Sequence, residues 1–230
     1  MASQLSKSGG MTVKSGGVAT ERGVKILALF IGVLLPLLLF GKLAEQVARH
    51  GGFQRDTLIL ESIHRYATPA WDATAILISR LGDPRLHLIL AAILALVLAK
   101  RDNLRSAVFL LLGVGGAALL NFAAKSLFRR ERPLLWPSPA PEWDFGFPSG
   151  HAMVSLALAL ALVLLLWSSP KRWVMGVAAL LFTVSVGFSR LYLGVHFPSD
   201  IVAGWAAALA WTTGLFFVFK PNAEPPAPEF

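Results

Sequence analysis

Three short segments gather the side chains that could do chemistry. Lys125-Ser-Leu-Phe-Arg129-Arg130-Glu131-Arg132-Pro133 is the first, Phe147-Pro148-Ser149-Gly150-His151 the second, and Ser189-Arg190 followed by His196-Phe-Pro198-Ser-Asp200 the third. Each abuts a long apolar run, and ionisable groups at the ends of membrane helices are costly unless used. Lys125 and Arg132 bring positive charge, and a guanidinium matches two phosphate oxygens at once. Gly150 lets the backbone approach a ligand closely, and the free amides at a helix start favour an anion, so the amides of Ser149 and Gly150 are expected to face phosphate. His151 can donate a proton near neutral pH to a leaving alkoxide or phosphate. His196 and Asp200 are four residues apart; on one helical face the carboxylate accepts one imidazole N–H and leaves the other nitrogen free as a nucleophile. Arg190, at the end of the preceding helix, can return as a third cation.

Each segment has a plainer reading. Lys125 also fits a snorkelling anchor at a helix end. Arg129 and Arg130 read better as an interfacial patch that holds lipid headgroups. Ser149 also fits an ordinary helix N-cap. His151, His196 and Asp200 match the inventory of a two-histidine, one-carboxylate metal site. Lys125, Arg132 and Arg190 would, however, set three positive charges beside the metal, so no metal and no cofactor are expected. His50, His64 and His87 have no such company and receive no role. The absence of cysteine excludes disulfides, thiolate zinc, iron–sulfur clusters and thiol catalysis.

The elements that must position these groups are apolar helices. The 230-residue chain is 55% hydrophobic and only 15% charged, yet carries a net charge of +8, which argues against a soluble enzyme and for a membrane plus an anionic partner. A bilayer core needs about 20 apolar residues in helix. Five uncharged runs qualify: Ile26–Gly41, Ser106–Ala124, Ala152–Pro170, Trp173–Ser189 and Ile201–Phe219. A sixth, Leu86–Ala99, has 14 residues and spans only if Arg85 and Lys100 snorkel or the helix begins upstream. The first run reads as a retained membrane helix rather than a cleaved signal. Between it and the sixth, apolar residues from Leu58 to Ile78 recur at helical spacing among charges, as in one or two helices lying in the interface. A gate for lipid entry over 58–82 is the functional reading, a passive connection the plainer one. Gly113, Gly115, Gly116 and Ala117 suit close helix packing.

The expected fold class is therefore an all-α integral membrane protein with six transmembrane helices. Its expected organisation is a disordered cytoplasmic tail over 1–22, a membrane domain over 23–220 and a Pro-rich tail over 221–230, with Met11 an alternative start. Lys100 to Arg105 and Lys171-Arg172 close tight loops, which the positive-inside rule places in the cytoplasm with both termini. Lys and Arg then number ten inside and eleven outside. The outside excess needs a second explanation, and setting aside Lys125, Arg132 and Arg190 as phosphate contacts leaves eight.

Read in order, Lys125 with six residues before Arg132-Pro133, then Pro148-Ser149-Gly150-His151, then Ser189-Arg190, five residues, His196, three residues and Asp200 resemble the tripartite signature of the type 2 phosphatidic acid phosphatase (lipid phosphate phosphatase) superfamily, with every position filled. The resemblance covers residues 125–200. It implies that His196 attacks phosphorus to form a phosphohistidine, Asp200 orients it and His151 protonates the leaving oxygen. Lys125, Arg132, Ser149, Gly150 and Arg190 would bind the phosphate, without metal. The implied partners are a membrane lipid phosphate and the bilayer, not nucleic acid. Undecaprenyl pyrophosphate ranks first as substrate, ahead of phosphatidylglycerol phosphate, phosphatidic acid and a lipid A phosphate, with the site on the outer face of a bacterial inner membrane. The rivals are a non-catalytic lipid-phosphate binding or transport protein and a relative of the vanadate-dependent haloperoxidases.

Overall fold

The computed structural model describes residues 23–221; the two expected tails, apart from Pro221, and Met11 lie outside these. Among the described residues the protein is all-helical. Helix α1 runs over Gly23–His50 with a π-helical turn at Phe30–Leu34. It is followed by α2 (Gln54–His64), α3 (Pro69–Leu81), α4 (Pro84–Ala99), α5 (Leu104–Phe128), α6 (Gly150–Leu165), α7 (Arg172–Tyr192) and α8 (Pro198–Phe219).

Five stretches are long and apolar enough to cross a membrane: Gly23–His50, Pro69–Ala99, Leu104–Phe128, Arg172–Tyr192 and Pro198–Phe219. The short apolar run Leu86–Ala99 is thus extended upstream, because α3 and α4 meet at Gly82–Asp83, where Asp83 caps α4 by accepting from the Arg85 amide at 2.7 Å. The run Ala152–Pro170 behaves differently. Its helix, α6, stops at Leu165 after 16 residues, and turns lead on to Lys171. At 1.5 Å per residue it is about 24 Å long, short of the ~30 Å hydrocarbon core.

That short helix is the centre of the molecule. It packs against α4, α5, α7 and α8. Its small residues, Ala152, Ala157 and Ala161, are fully enclosed and let the neighbours approach closely. A helix apolar on every face is stable only when all its faces are covered, and here protein covers them. Around it the usual order is inverted: Leu27, Ile31, Leu38, Leu119, Phe122 and Leu181 project outward exposed, as they do where lipid is the solvent.

The chain order brings the C-terminal ends of α5 and α7 and the N-terminal ends of α6 and α8 to one end of the bundle, while the basic loops after α4 and α6 lie at the other. The segment between α1 and α4 forms two helices, of which α3 continues into the stretch Pro69–Ala99 rather than standing apart as an interfacial connection. α2 packs on α7 and α8, and α3 packs on α7. Tyr192 ties α3 to the end of α7, donating to Asp72 Oδ1 at 2.8 Å and accepting from the Thr68 amide at 3.1 Å.

Candidate active site

All three sequence segments converge at this end. His196 precedes α8 rather than belonging to it: Phe197 is the N-cap and Pro198 occupies the first turn, so the expected shared helical face does not form. The pair meets through capping. Asp200, in the first turn, turns its carboxylate back, Oδ2 accepts the Phe197 amide at 2.8 Å, and the same oxygen lies 3.5 Å from His196 Nδ1. Nδ1 makes no closed hydrogen bond at that distance.

The other ring nitrogen, Nε2, lies 3.0 Å from an Arg132 guanidinium nitrogen. A guanidinium can only donate, so Nε2 accepts, the proton resides on Nδ1 towards Asp200, and the lone pair of Nε2 faces the cations. Burial, followed by the charges of Arg132, Arg190 and Lys125, holds the His196 imidazole well below its usual range and keeps it neutral near pH 7.

Three cations surround this nitrogen, and two carboxylates occupy them. Arg190, buried in α7, donates to Ser79 Oγ and to Glu142 Oε1. Arg132 donates to Glu142 Oε2 at 3.0 Å, to Asp144, and to the Val195 carbonyl at 2.6 Å. Lys125, in the last turn of α5, pairs with Asp144. His151 Nδ1 is 3.9 Å from Glu142 Oε1. Burial alone would raise the Asp144 carboxyl, but Lys125 and Arg132 outweigh it and hold the group below the usual carboxylate range. The loop between α5 and α6 thus lays acid oxygens across a pocket of positive charge.

Pro148-Ser149-Gly150-His151 enters α6 as expected for a cap, with one correction. The Ser149 amide donates to the Asp200 carbonyl at 3.0 Å, and its hydroxyl accepts from the Ala152 amide at 3.5 Å. Its amide therefore does not point at the cation cluster; Ser149 locks the turn to α8, and Gly150 and His151 carry the amides left at the helix start. Buried Asn121 of α5 holds this turn from the other side, donating to the Pro148 carbonyl at 3.0 Å. Its Oδ1 would lie 3.0 Å from a Cβ on residue 150, so glycine fits there.

Sequence reasoning missed Asn121, Glu142, Asp144 and Ser79, and it misread Arg130. Arg129 is exposed, as an interfacial patch requires. Arg130 is buried and binds no headgroup: it donates to Asp200 Oδ1 at 2.5 Å and to Asp56 Oδ2 at 2.9 Å. Alternation around a loop decides this, since Arg129 ends α5 in a left-handed conformation and sends the next side chain inward.

Comparison with known proteins agrees with this geometry. Residues 106–224, just over half of the chain, match the model of the PAP2 superfamily. An undecaprenyl-diphosphatase of Sulfolobus acidocaldarius is 32% identical over 120 residues, 48% of this chain and 54% of that protein. A phosphatidylglycerophosphatase B of Bacillus subtilis is 37% identical over 117 residues, 48% of this chain and 55% of that protein. The chain thus spans about half the length of the curated relatives it matches. The crystal structure of a transmembrane PAP2 type phosphatidylglycerolphosphate phosphatase from Bacillus subtilis superposes with a TM-score of 0.71 at 28% identity, covering 81% of this chain and 93% of that one. With the signature residues brought together at one end of the bundle and the match extending from α5 through α8, the chain belongs to the PAP2 superfamily.

Proposed function

We propose that the protein is a lipid phosphate phosphatase that works through a phosphohistidine and needs no metal. The observation that carries this reading is the gathering of Arg132, Arg190 and Lys125 near His196, whose Nε2 accepts from Arg132, with carboxylate oxygens held where phosphoryl oxygens would lie. Phosphoryl transfer depends on positioning and on compensating the charge of the equatorial oxygens. Nε2 attacks phosphorus, and the bond to the lipid oxygen breaks. His151, which takes up a proton as the phosphate dianion binds beside it, gives that proton to the leaving oxygen. The ring, now positively charged, is held by Asp200. Water then attacks the phosphohistidine with His151 as base, releasing inorganic phosphate and restoring Nε2. Lys125, Arg132, Arg190 and the amides of Gly150 and His151 hold the oxygens, and Ser149 fixes the turn that presents them.

A cavity of about 660 Å³ supports a lipid substrate. It lies between α1, α5 and α8, is lined by apolar residues such as Leu37, Phe40, Leu120, Leu127 and Trp211, and has Pro148 of the phosphate-binding turn in its wall. A chain lying there would run up to the turn that Pro148 opens. In this reading α6 also crosses the bilayer, its short length offset by the loop at its end, which makes six spans. The basic loops face the cytoplasm and the site faces outward. Undecaprenyl pyrophosphate ranks first because an outward site suits recycling of a polyprenyl carrier. Initial rates of phosphate release from undecaprenyl pyrophosphate, phosphatidylglycerol phosphate, phosphatidic acid and a lipid A phosphate, in detergent with and without chelator, test it. Release from at least one lipid, undiminished by chelator, is expected. No release from any would favour a lipid-phosphate binding protein, and loss in chelator restored by one divalent ion would contradict the metal-free mechanism.

A further inference from the structure

Next to the site lies a buried ionic cluster that no step above uses. Arg130 donates to four acceptors from three segments: the Gly51 carbonyl at 3.1 Å, Asp56 Oδ2 at 2.9 Å, Ser199 Oγ at 2.7 Å and Asp200 Oδ1 at 2.5 Å. The chain is shaped around it. A Cβ on Gly52 would fall 2.0 Å from its terminal nitrogen, and its guanidinium stacks on the Phe197 ring at 4.3 Å. Asp56, on α2 and 4% exposed, also accepts from the Ser199 hydroxyl and, at 3.2 Å, from the Ser199 amide.

We propose that Asp56 is a positioning residue for the nucleophile: through Arg130 it fixes Asp200 and supplies the net negative charge that His196 requires when it becomes a phosphoimidazolium. The first effect is on the position of Asp200. One of its oxygens is held by Arg130 and the other by the Phe197 amide, so the carboxylate cannot turn away from His196. Arg130 can act as that stop only while Asp56 and Gly51 hold its other side. The second effect is on charge. Asp200 and Arg130 alone form a neutral pair, which has little attraction for a positive ring. Adding Asp56 gives the trio a charge of −1, and the phosphoimidazolium then completes a neutral set of four in a buried place where unbalanced charge is expensive. Asp56 lies outside residues 106–224, so α2 joins the catalytic apparatus rather than serving as a passive connection.

The inference rests on the roles proposed for His196 and Asp200. It is tested with the full chain in detergent by a double-mutant cycle of Asp56→Asn and Asp200→Asn, with Asp56→Glu alongside. Asp56 touches no phosphate oxygen, so Asp56→Asn is expected to lower kcat about ten- to a hundredfold with KM changed less than about twofold. Asp56→Glu should regain part of that loss because it keeps the charge. In the Asp200→Asn background, Asp56→Asn should cost less than about twofold, because the carboxylate it acts through is gone. Unchanged kcat in monodisperse Asp56→Asn, or losses that multiply in the double variant, overturns the inference. Should Asp56→Asn not fold, Ser199→Ala runs through the same cycle. It keeps both charges and removes the hydroxyl shared by Asp56 and Arg130, so a few-fold loss of kcat that vanishes in Asp200→Asn is expected and a multiplying loss is contrary. Wild-type protein that releases no phosphate from any lipid overturns the phosphatase reading and this inference with it; multiplying losses in an active wild type overturn the inference alone.

Discussion

Arg132 donates to His196 Nε2 at 3.0 Å, and because a guanidinium has no lone pair to offer, that one contact assigns the tautomer of the histidine. It also places a guanidinium, a strong anion binder, against the nitrogen proposed to attack. A phosphate drawn to Arg132 arrives within reach of the lone pair, so binding and attack share one geometry.

His151 has the role most sensitive to the leaving group. An alkoxide needs a proton as the P–O bond breaks, whereas p-nitrophenolate does not. His151→Ala should therefore slow hydrolysis of a lipid phosphate by about 10²–10⁴-fold and p-nitrophenyl phosphate by far less. Equal losses on both, measured as kcat, would assign His151 to phosphate binding instead.

Under the proposed function, Glu142 competes with the substrate for the same cations. It pairs with Arg190 and Arg132 while 26% of its side chain is exposed, so a phosphate must displace it. Glu142→Gln should tighten competitive inhibition by inorganic phosphate about fivefold, on the order of 1 kcal/mol for one partly buried ion pair. Inhibition measured at two salt concentrations checks this. A weaker or unchanged inhibition constant would mean that Glu142 moves with the phosphate rather than opposing it.

The pH dependence has a definite sign. Burial and three neighbouring cations depress His196 in the folded protein relative to the unfolded value of 6.5. The unfolded chain then binds a proton that the folded one refuses, so this stabilising contribution is full above pH 6.5 and is lost as pH falls below it towards the folded value. Between pH 6.5 and 5 the melting temperature of the wild type should fall more steeply than that of His196→Asn. Parallel curves would show that His196 titrates normally when folded.

Asn121 should matter beyond its distance from the chemistry. Asn121→Leu keeps the branched outline but strands the buried Pro148 carbonyl, at a cost of about 1–3 kcal/mol, and frees the turn that presents Gly150 and His151. An approximately tenfold loss of kcat is expected, together with a melting temperature lowered by several degrees. Full activity would show that Ser149 holds the turn unaided.

Why some of these groups were legible in the chain and others not follows from how they are placed. Lys125, Gly150, His151, Arg190 and Asp200 sit at helix ends, where an apolar run meets charge, and that boundary is visible residue by residue. Arg130 sits among Arg129, Glu131 and Arg132, and which of four charges turns inward depends on the backbone after α5 and on Asp56, 74 residues away. Glu142 and Asp144 lie in a loop whose spacing carries no period, so only the folded cations reveal their use. The helices show the same division. Hydropathy located the apolar runs, but the brevity of α6 and the extension of α4 by α3 depend on packing and on Asp83. Local geometry alone points the Ser149 amide at phosphate, whereas in the fold it donates to the Asp200 carbonyl.

The central claim is that His196 becomes covalently phosphorylated. Wild-type protein mixed with a lipid phosphate labelled with ³²P and quenched within milliseconds in alkali should carry label on His196, stable to base and labile to acid. His196→Ala, folded in the same detergent, should carry none and release no phosphate. Turnover by the wild type with no trapped label on histidine, or phosphate release by His196→Ala, would contradict the account.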